Sequence, residues 1–356
     1  MLKTTDVVTK ASDFAIKNVV TTTETINLAD TTHTGENLKV DALKLDPTAT
    51  LTISGGAATQ DATVDTTAGK TAKITVNDSL KSLTTTAGND EINLTATINE
   101  LKTGDGKDVI TVAAAGSGAT SIDGGSGDDT LKLGAANTKI EKLTSIEIID
   151  ATENAGLKAS AISGLTTKVT STAASAKTFD VDAANATTVD LSNVTFDTTS
   201  SLGAVSVKNV AADAVVTLKV NDNKAETIAL ADVAKGSVVT INNAKNSEDK
   251  IDLTTATTAI TASGNWDSDM SFEDTKAYMV TANKAVDKIV ASDVINGITF
   301  AGTSGDSGQV FVKGTNGIAV YTITVNAAST GFDVGASADL VLMGIQGLEK
   351  TDITIA

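Results

Sequence analysis

The chain has 356 residues, a net charge of −17, and 27 lysines with no arginine or cysteine. A strongly acidic chain without the bidentate guanidinium argues against a nucleic-acid partner, and the lack of cysteine excludes disulfides. No stretch is apolar for long enough to span a membrane, and the 7 Phe, 2 Tyr and 1 Trp leave a core of small and β-branched residues.

Short β-strands are predicted along most of the chain, because threonine alternates with valine and isoleucine in segments such as TAKITVND and VVTLKVND. Four segments follow one another. Residues 1–80 are predicted as strands broken by polar turns, and residues 81–156 hold a cluster of glycine and aspartate. Residues 157–245 predict a solenoid or a sandwich, with strands about ten residues apart. Residues 246–356 hold most of the rare aromatics in a C-terminal β domain.

One helix is predicted, in the segment SFEDTKAYMVTANKAV at residues 271–286. Ser271 is its candidate N-cap, and Glu273 and Asp274 stand in its first turn, where acidic side chains favour the helix dipole.

The glycine–aspartate cluster follows a nonapeptide pattern, G-G-x-G-x-D-x-U-x, in which U is apolar. GGSGDDTLK at residues 124–132 matches every specified position, and TGDGKDVIT at residues 103–111 matches all but the first. TTAGNDEIN at residues 85–93 retains Gly88, Asp90 and Ile92, and threonine replaces glycine at Thr85, Thr86 and Thr103. The alternative interpretation is a set of ordinary hairpin turns rich in glycine and aspartate.

The pattern predicts a calcium site. Glycine permits a tight turn whose carbonyl oxygens point inward, aspartate adds an anionic oxygen, and Ca²⁺ takes six to eight such oxygens. The candidate ligands are Gly88, Asn89, Asp90, Gly104, Asp105, Gly106, Asp108, Gly124, Gly125, Ser126, Gly127, Asp128 and Asp129.

The spacing of the three segments predicts stacked turns. The interval from Gly88 to Gly106 equals the length of two nonapeptides, which together make one full coil. The interval from Gly106 to Gly127 corresponds to one coil and a short insertion. On the opposite side, TATINELK and SGATSID retain the strand but have lost most of the glycines. Three stacked turns leave two gaps, and we expect about two calcium ions, one in each gap.

These segments resemble the RTX repeats of type I-secreted proteins from Gram-negative bacteria. The resemblance implies a mainly β fold with a calcium-binding parallel β-roll or β-solenoid and adjoining β-rich segments. IEKLTSIEIIDATENAG is similar to the segment that follows such rolls. The end of the chain, from about Gly331 to Ala356, resembles an uncleaved C-terminal export signal, and the start of the chain, MLKTTDVVTKASDFAIKNVV, lacks the apolar core of an N-terminal one.

The scarcity of aromatics, the abundance of threonine and alanine and the lack of cysteine are most similar to the surface-layer proteins of the Caulobacter and Campylobacter type. The resemblance implies a structural subunit, or the lattice-forming part of one, at the extracellular cell surface. The expected partner of each chain is another copy of the same chain, in a calcium-dependent lattice or large homo-oligomer. Lipopolysaccharide, bound through another region, is a candidate second partner. The alternatives are a fragment of an RTX adhesin and the non-catalytic C-terminal region of a secreted enzyme.

No catalytic motif is recognised in the sequence. There is no H-E-x-x-H and no G-x-S-x-G, and His33, the only histidine, stands in a turn-like segment. Trp266 is either a carbohydrate contact or a packing residue. We therefore expect a protein that is not an enzyme.

Overall fold

A computed structural model describes residues 13–16, 24–27, 37–41, 50–54, 59–137, 139–197, 200–212, 214–219, 227–242, 250–253, 272–274, 276–344 and 353–354. His33, Trp266 and Ser271 lie outside the described residues. The chain divides into two compact units: unit 1 comprises residues 1–179 and 199–202, and unit 2 comprises residues 180–198 and 203–356.

Short strands account for most of the regular structure. The strands up to residue 170 are β1 (Asp13–Ile16), β2 (Glu24–Asn27), β3 (Asn37–Asp41), β4 (Thr50–Ser54), β5 (Asp61–Asp65), β6 (Lys73–Val76), β7 (Leu80–Thr85), β8 (Glu91–Leu94), β9 (Thr97–Lys102), β10 (Val109–Val112), β11 (Gly118–Asp123), β12 (Thr130–Leu133), β13 (Ala136–Asn137), β14 (Lys142–Thr144), β15 (Ile148–Ala151), β16 (Ala155–Lys158) and β17 (Thr167–Thr170).

The later strands are β18 (Lys177–Asp182), β19 (Thr188–Leu191), β20 (Val194–Phe196), β21 (Leu202–Lys208), β22 (Val215–Lys219), β23 (Thr227–Ala231), β24 (Ser237–Asn242), β25 (Lys250–Asp252), β26 (Ala277–Thr281), β27 (Ser307–Lys313), β28 (Gly317–Val325), β29 (Phe332–Val334), β30 (Leu340–Met343) and β31 (Ile353–Thr354). The helical elements of the described residues are one turn each: α1 (Ala159–Ile162), a 3-10 turn at Val286–Lys288, and α2 (Ala291–Val294).

Unit 1 contains two parallel sheets, and up to β12 successive strands alternate between them. One sheet has the order β1-β3-β5-β7-β9-β11-β14, and the other has the order β2-β4-β6-β8-β10-β12-β15-β17 within this unit. β13 and β16 form a further short parallel pair. Neighbouring parallel strands cannot be joined by a tight hairpin, and here the chain visits the other sheet between them.

Aliphatic side chains of equivalent strands stack in columns through the core of unit 1. Ile110 pairs with Ile92 on one side and with Leu131 on the other, and all three are buried. These pairs confirm the register that the glycine spacing predicts. Among the described residues, the buried core from Leu51 to Val169 has no aromatic side chain, so aliphatic side chains alone fill it.

Unit 2 has one parallel and one mixed sheet. β21, β23, β25 and β31 pair in parallel. The second sheet has the order β19-β22-β24-β30-β28-β27-β26, with β29 also paired to β28. β28 is antiparallel to its neighbours β27, β29 and β30. The core here contains rings: the centroids of Phe272 and Phe332 are 4.8 Å apart, and Tyr278 stacks on Phe272.

The helix predicted at residues 271–286 is wrong. β26 occupies Ala277–Thr281 and pairs in parallel with β27, which places Tyr278 opposite Val310. Tyr278 is completely buried, and Glu273 and Asp274 lie in an exposed turn. Burial of an aromatic and β-branched run in a sheet outweighs the weak preference of the flanking residues for a helix.

The chain is therefore mainly β and contains parallel sheets, as the sequence predicts. The division into four segments stays a prediction. None of the helices in the described residues is long and apolar enough to cross a membrane.

Candidate functional site

The three predicted turns lie one above another at the same edge of unit 1, where β7, β9 and β11 lead into β8, β10 and β12. Ala87 pairs with Asp105, and Asp105 pairs with Ser126, as isolated parallel bridges. The N–H of Gly88 donates to the carbonyl of Asp105 at 2.8 Å, and the N–H of Gly106 donates to that of Ser126 at 2.8 Å. The structure thus brings the turns together in the predicted order.

Glycine is sterically required where the turns stack. Gly106 has a φ of +146°, and a Cβ on it would collide with the carbonyl oxygen of Gly88. Gly127 has a φ of +139°, and its Cβ would collide with the carbonyl oxygen of Gly106. Each carbonyl therefore faces a Cα hydrogen of the next turn at a separation that no side chain allows.

The three aspartates form a column along these turns. Asp90, Asp108 and Asp129 directly precede β8, β10 and β12, and each is 0 % exposed. Oδ1 of Asp108 accepts the N–H of Asp90 at 2.7 Å, and Oδ1 of Asp129 accepts the N–H of Asp108 at 2.8 Å. Each carboxylate therefore reaches back into the gap between its own turn and the preceding one.

Two carboxylate oxygens in this column have no partner. Among the described residues, Asp108 Oδ2 and Asp129 Oδ2 are buried and accept no hydrogen bond, since the Thr103 hydroxyl, which lies near Asp108, donates to the carbonyl of Gly124. A buried anionic oxygen without a donor or a cation is costly. The Oδ1 atoms of the same two carboxylates bond to the preceding turn, across the first and the second gap between the three turns.

Burial changes the proton affinity of the column. It raises the pKa of Asp129 to about 7, and the nearby carboxylates of Asp108 and Glu147 add to the effect. Burial raises the pKa of Asp90 to about 6 and also raises that of Asp108. A carboxylate column of this kind takes up either protons or a metal cation.

The remaining predicted side chains lie outside the column. Asn89, Asp105, Ser126 and Asp128 are exposed. Asp128 forms an ion pair with Lys107 at 2.6 Å, and Asn89 Oδ1 accepts the N–H of Lys107 at 2.9 Å. These four residues could serve a buried cation only through their backbone oxygens.

The threonines that replace motif glycines have a role of their own. The buried hydroxyl of Thr85 donates to the carbonyl of Thr103 at 2.7 Å, and that of Thr103 donates to the carbonyl of Gly124 at 2.7 Å. They form a hydroxyl ladder that joins the same three turns. From the sequence pattern, these threonines are recognised only as replacements of motif glycines, and their hydrogen bonds are not predicted.

Sequence reasoning also missed Glu147, at one end of the column. Glu147 Oε2 accepts the N–H of Asp129 at 2.8 Å, in the way that Asp129 serves Asp108. Its turn is shorter than the one before it: the chain passes from Thr144 to Ile148 in fewer steps than from Asp123 to Thr130, which are the corresponding strand ends. The available signal was spacing, because the interval from Asp129 to Glu147 again equals two nonapeptides.

The column fits a hard cation that oxygen ligands bind. No group of three or more His, Cys, Asp or Glu side chains in the described part of the chain is placed to hold a metal. A cation in either gap would therefore need backbone carbonyl oxygens beside one carboxylate. Calcium accepts such a shell, with carbonyl and carboxylate oxygens together.

The metal-free protein should lose stability as the pH rises. The pKa of Asp129 is about 7 in the folded protein, against a reference of 3.8, so the folded state holds a proton that the unfolded chain has released between these values. The free energy of unfolding in chelator should be on the order of 1–3 kcal/mol higher at pH 5 than at pH 8. Urea denaturation followed by far-UV circular dichroism checks this, and a flat or rising profile would contradict it.

Comparison with protein-family models, with curated proteins and with solved structures finds no match to this chain.

Proposed function

We propose that unit 1 contains a calcium-binding parallel β-roll. Two successive strands, one in each parallel sheet, make one coil, and equivalent residues such as Ile92, Ile110 and Leu131 recur once in each coil. The glycine turns stack at one edge, and the opposite connections retain strands without the glycine pattern. Both features support the roll that the RTX resemblance implies.

The single observation that carries the calcium assignment is the pair of buried, unpartnered oxygens, Asp108 Oδ2 and Asp129 Oδ2. Asp108 would hold an ion in the first gap and Asp129 one in the second, with carbonyl oxygens of the glycine turns. A bound cation supplies the positive charge that the buried carboxylates lack. Because the sites are built from stacked turns, calcium binding and folding of the roll are coupled.

The proposed role is structural. The protein acts as a subunit, or the lattice-forming part, of an extracellular bacterial surface layer, and has no catalytic function. Its net charge of −17 opposes close packing of subunits until cations reduce the repulsion. Calcium thus acts twice, first by ordering the roll and then by permitting contacts between copies. Lipopolysaccharide, reached through another region, is the candidate anchor.

A calcium titration of the full chain tests this function. We expect monomers in chelator, and binding of two ions followed by ordered sheets or large oligomers in millimolar calcium. Isothermal titration calorimetry gives the stoichiometry, and light scattering with negative-stain microscopy follows assembly. Magnesium is the control, and it should substitute poorly because it demands a tighter octahedral shell.

Two outcomes would contradict parts of the proposal. If the protein binds no calcium, the proposed metal sites of the roll are wrong. A protein that binds calcium and stays monomeric at high concentration would remove the lattice role and favour an adhesin.

A further inference from the structure

The carboxylate of Asp90 differs from the other two in having partners for both oxygens. It lies in the gap between its own turn and the preceding turn, residues 66–72. Oδ1 accepts the N–H of Ala72 at 3.2 Å, and Oδ2 accepts the hydroxyl of Thr66 at 3.1 Å. The corresponding Oδ2 atoms of Asp108 and Asp129 have no donor.

The gap before Asp90 is otherwise similar to the next two. The Cα of Gly88 faces oxygens of the preceding turn, and a Cβ there would lie 2.8 Å from the carbonyl of Lys70 and 2.9 Å from that of Thr67. Oδ1 of Asp90 would lie 3.1 Å from the same point. Carbonyl and carboxylate oxygens therefore converge here too, and the Thr66 hydroxyl is the group that completes the gap.

The position of Thr66 along the stack explains how Asp90 Oδ2 comes to have a hydroxyl donor that Asp108 Oδ2 and Asp129 Oδ2 lack. Val64 pairs with Thr85, and two further steps in this register place Thr66 beside Ala87, whose N–H donates to the Thr66 hydroxyl at 3.0 Å. Ala87 in turn pairs with Asp105. The equivalent position before Asp108 is thus an alanine, which has no hydroxyl, and the one before Asp129 is an aspartate, which has no proton to donate when ionised.

We propose that the Thr66 hydroxyl ends the cation column by satisfying Asp90, so that the roll binds calcium in two gaps and not in three. This inference rests on the proposed calcium-binding function. Thr66 is 5 % exposed, and its hydroxyl both accepts from Ala87 and donates to Asp90. A cation entering this gap would have to displace the Thr66 hydroxyl, which already forms a hydrogen bond with the Asp90 carboxylate.

The experiment is a calcium titration by calorimetry of the full chain and three variants, each first freed of metal. The wild type should bind two ions. Thr66→Ala copies Ala87, leaves Asp90 Oδ2 without a donor, and should bind three. Thr66→Ser keeps the hydroxyl and should bind two. Ala87→Thr places a hydroxyl in the gap between Asp108 and the preceding turn, and this variant should bind one ion.

The outcomes separate this inference from the proposed function. A wild type that binds no calcium overturns both. A wild type that binds two ions, with Thr66→Ala also binding two, overturns only the role of Thr66. If Thr66→Ala does not fold, Ala87→Thr decides: loss of one ion supports the inference, and an unchanged two overturns it.

Discussion

Replacing Gly106 with alanine should destabilise unit 1 by more than about 4 kcal/mol, an exceptional value for a single methyl group. The new Cβ would collide with the carbonyl oxygen of Gly88, and the residue would have to hold a φ of +146°. Neither strain can be relieved locally, because backbone hydrogen bonds hold this turn on both sides: Gly106 donates to Ser126, and the neighbouring Asp105 accepts from Gly88. Calcium binding should be lost as well, since the variant separates the turns that form the gaps.

Gly116→Ala is the matched control. Gly116 lies in the exposed connection between β10 and β11, has no positive φ, and has open space where a Cβ would be. We expect its stability to stay within about 0.5 kcal/mol of the wild type, or to rise slightly as the unfolded chain loses freedom. Chemical denaturation followed by far-UV circular dichroism measures both variants. Equal stabilities of the two would show that the turns are not stacked as described.

Asp108→Asn should have opposite effects in chelator and in calcium. Asparagine retains an oxygen that can accept the N–H of Asp90, and it removes the buried charge whose second oxygen has no partner. In chelator we expect the variant to be about 1–2 kcal/mol more stable than the wild type. At a calcium concentration about 100 times the dissociation constant, one lost site should remove about 3 kcal/mol of the calcium-dependent stabilisation.

Asp78→Asn makes the same chemical change at an exposed turn of unit 1, where Asp78 accepts the N–H of Ser79. It should leave both stabilities unchanged. The measurement is denaturation of each variant in chelator and in millimolar calcium. If calcium stabilises the Asp108→Asn variant as much as it stabilises the wild type, Asp108 holds no ion.

The repeat of glycine and aspartate predicted the stacked turns because each residue type meets a structural requirement within its own turn. Glycine meets a backbone angle and a close contact, and aspartate serves the N–H of the preceding turn, so their spacing equals the register of the ladder. Thr66 could not be recognised in the same way, because its role depends on which carboxylate the neighbouring turn presents. Glu147 keeps the two-nonapeptide interval from Asp129, but its shorter turn lacks the glycines and has glutamate where the pattern has aspartate.

The segment at residues 271–286 shows a second limit. Its acidic start and scattered apolar residues favour a helix locally, but Tyr278 and Val280 are buried in a strand because β27, which lies much later in the chain, offers a pairing edge. A partner so distant in sequence leaves no periodic signal within the segment itself. The strands beside the glycine turns were easier to predict, because their partners recur at one coil, or at one coil and a short insertion.

The uneven placement of aromatic residues makes the two units optically distinct. Trp266, Tyr278 and Tyr321 all belong to unit 2, and unit 1 has only the phenylalanines Phe14 and Phe179. Intrinsic fluorescence excited in the tryptophan band therefore comes from unit 2 alone, and circular dichroism of the peptide bond responds to both units. A calcium titration recorded by both methods assigns each transition to its unit without any label, since a change in ellipticity with constant emission identifies ordering of unit 1.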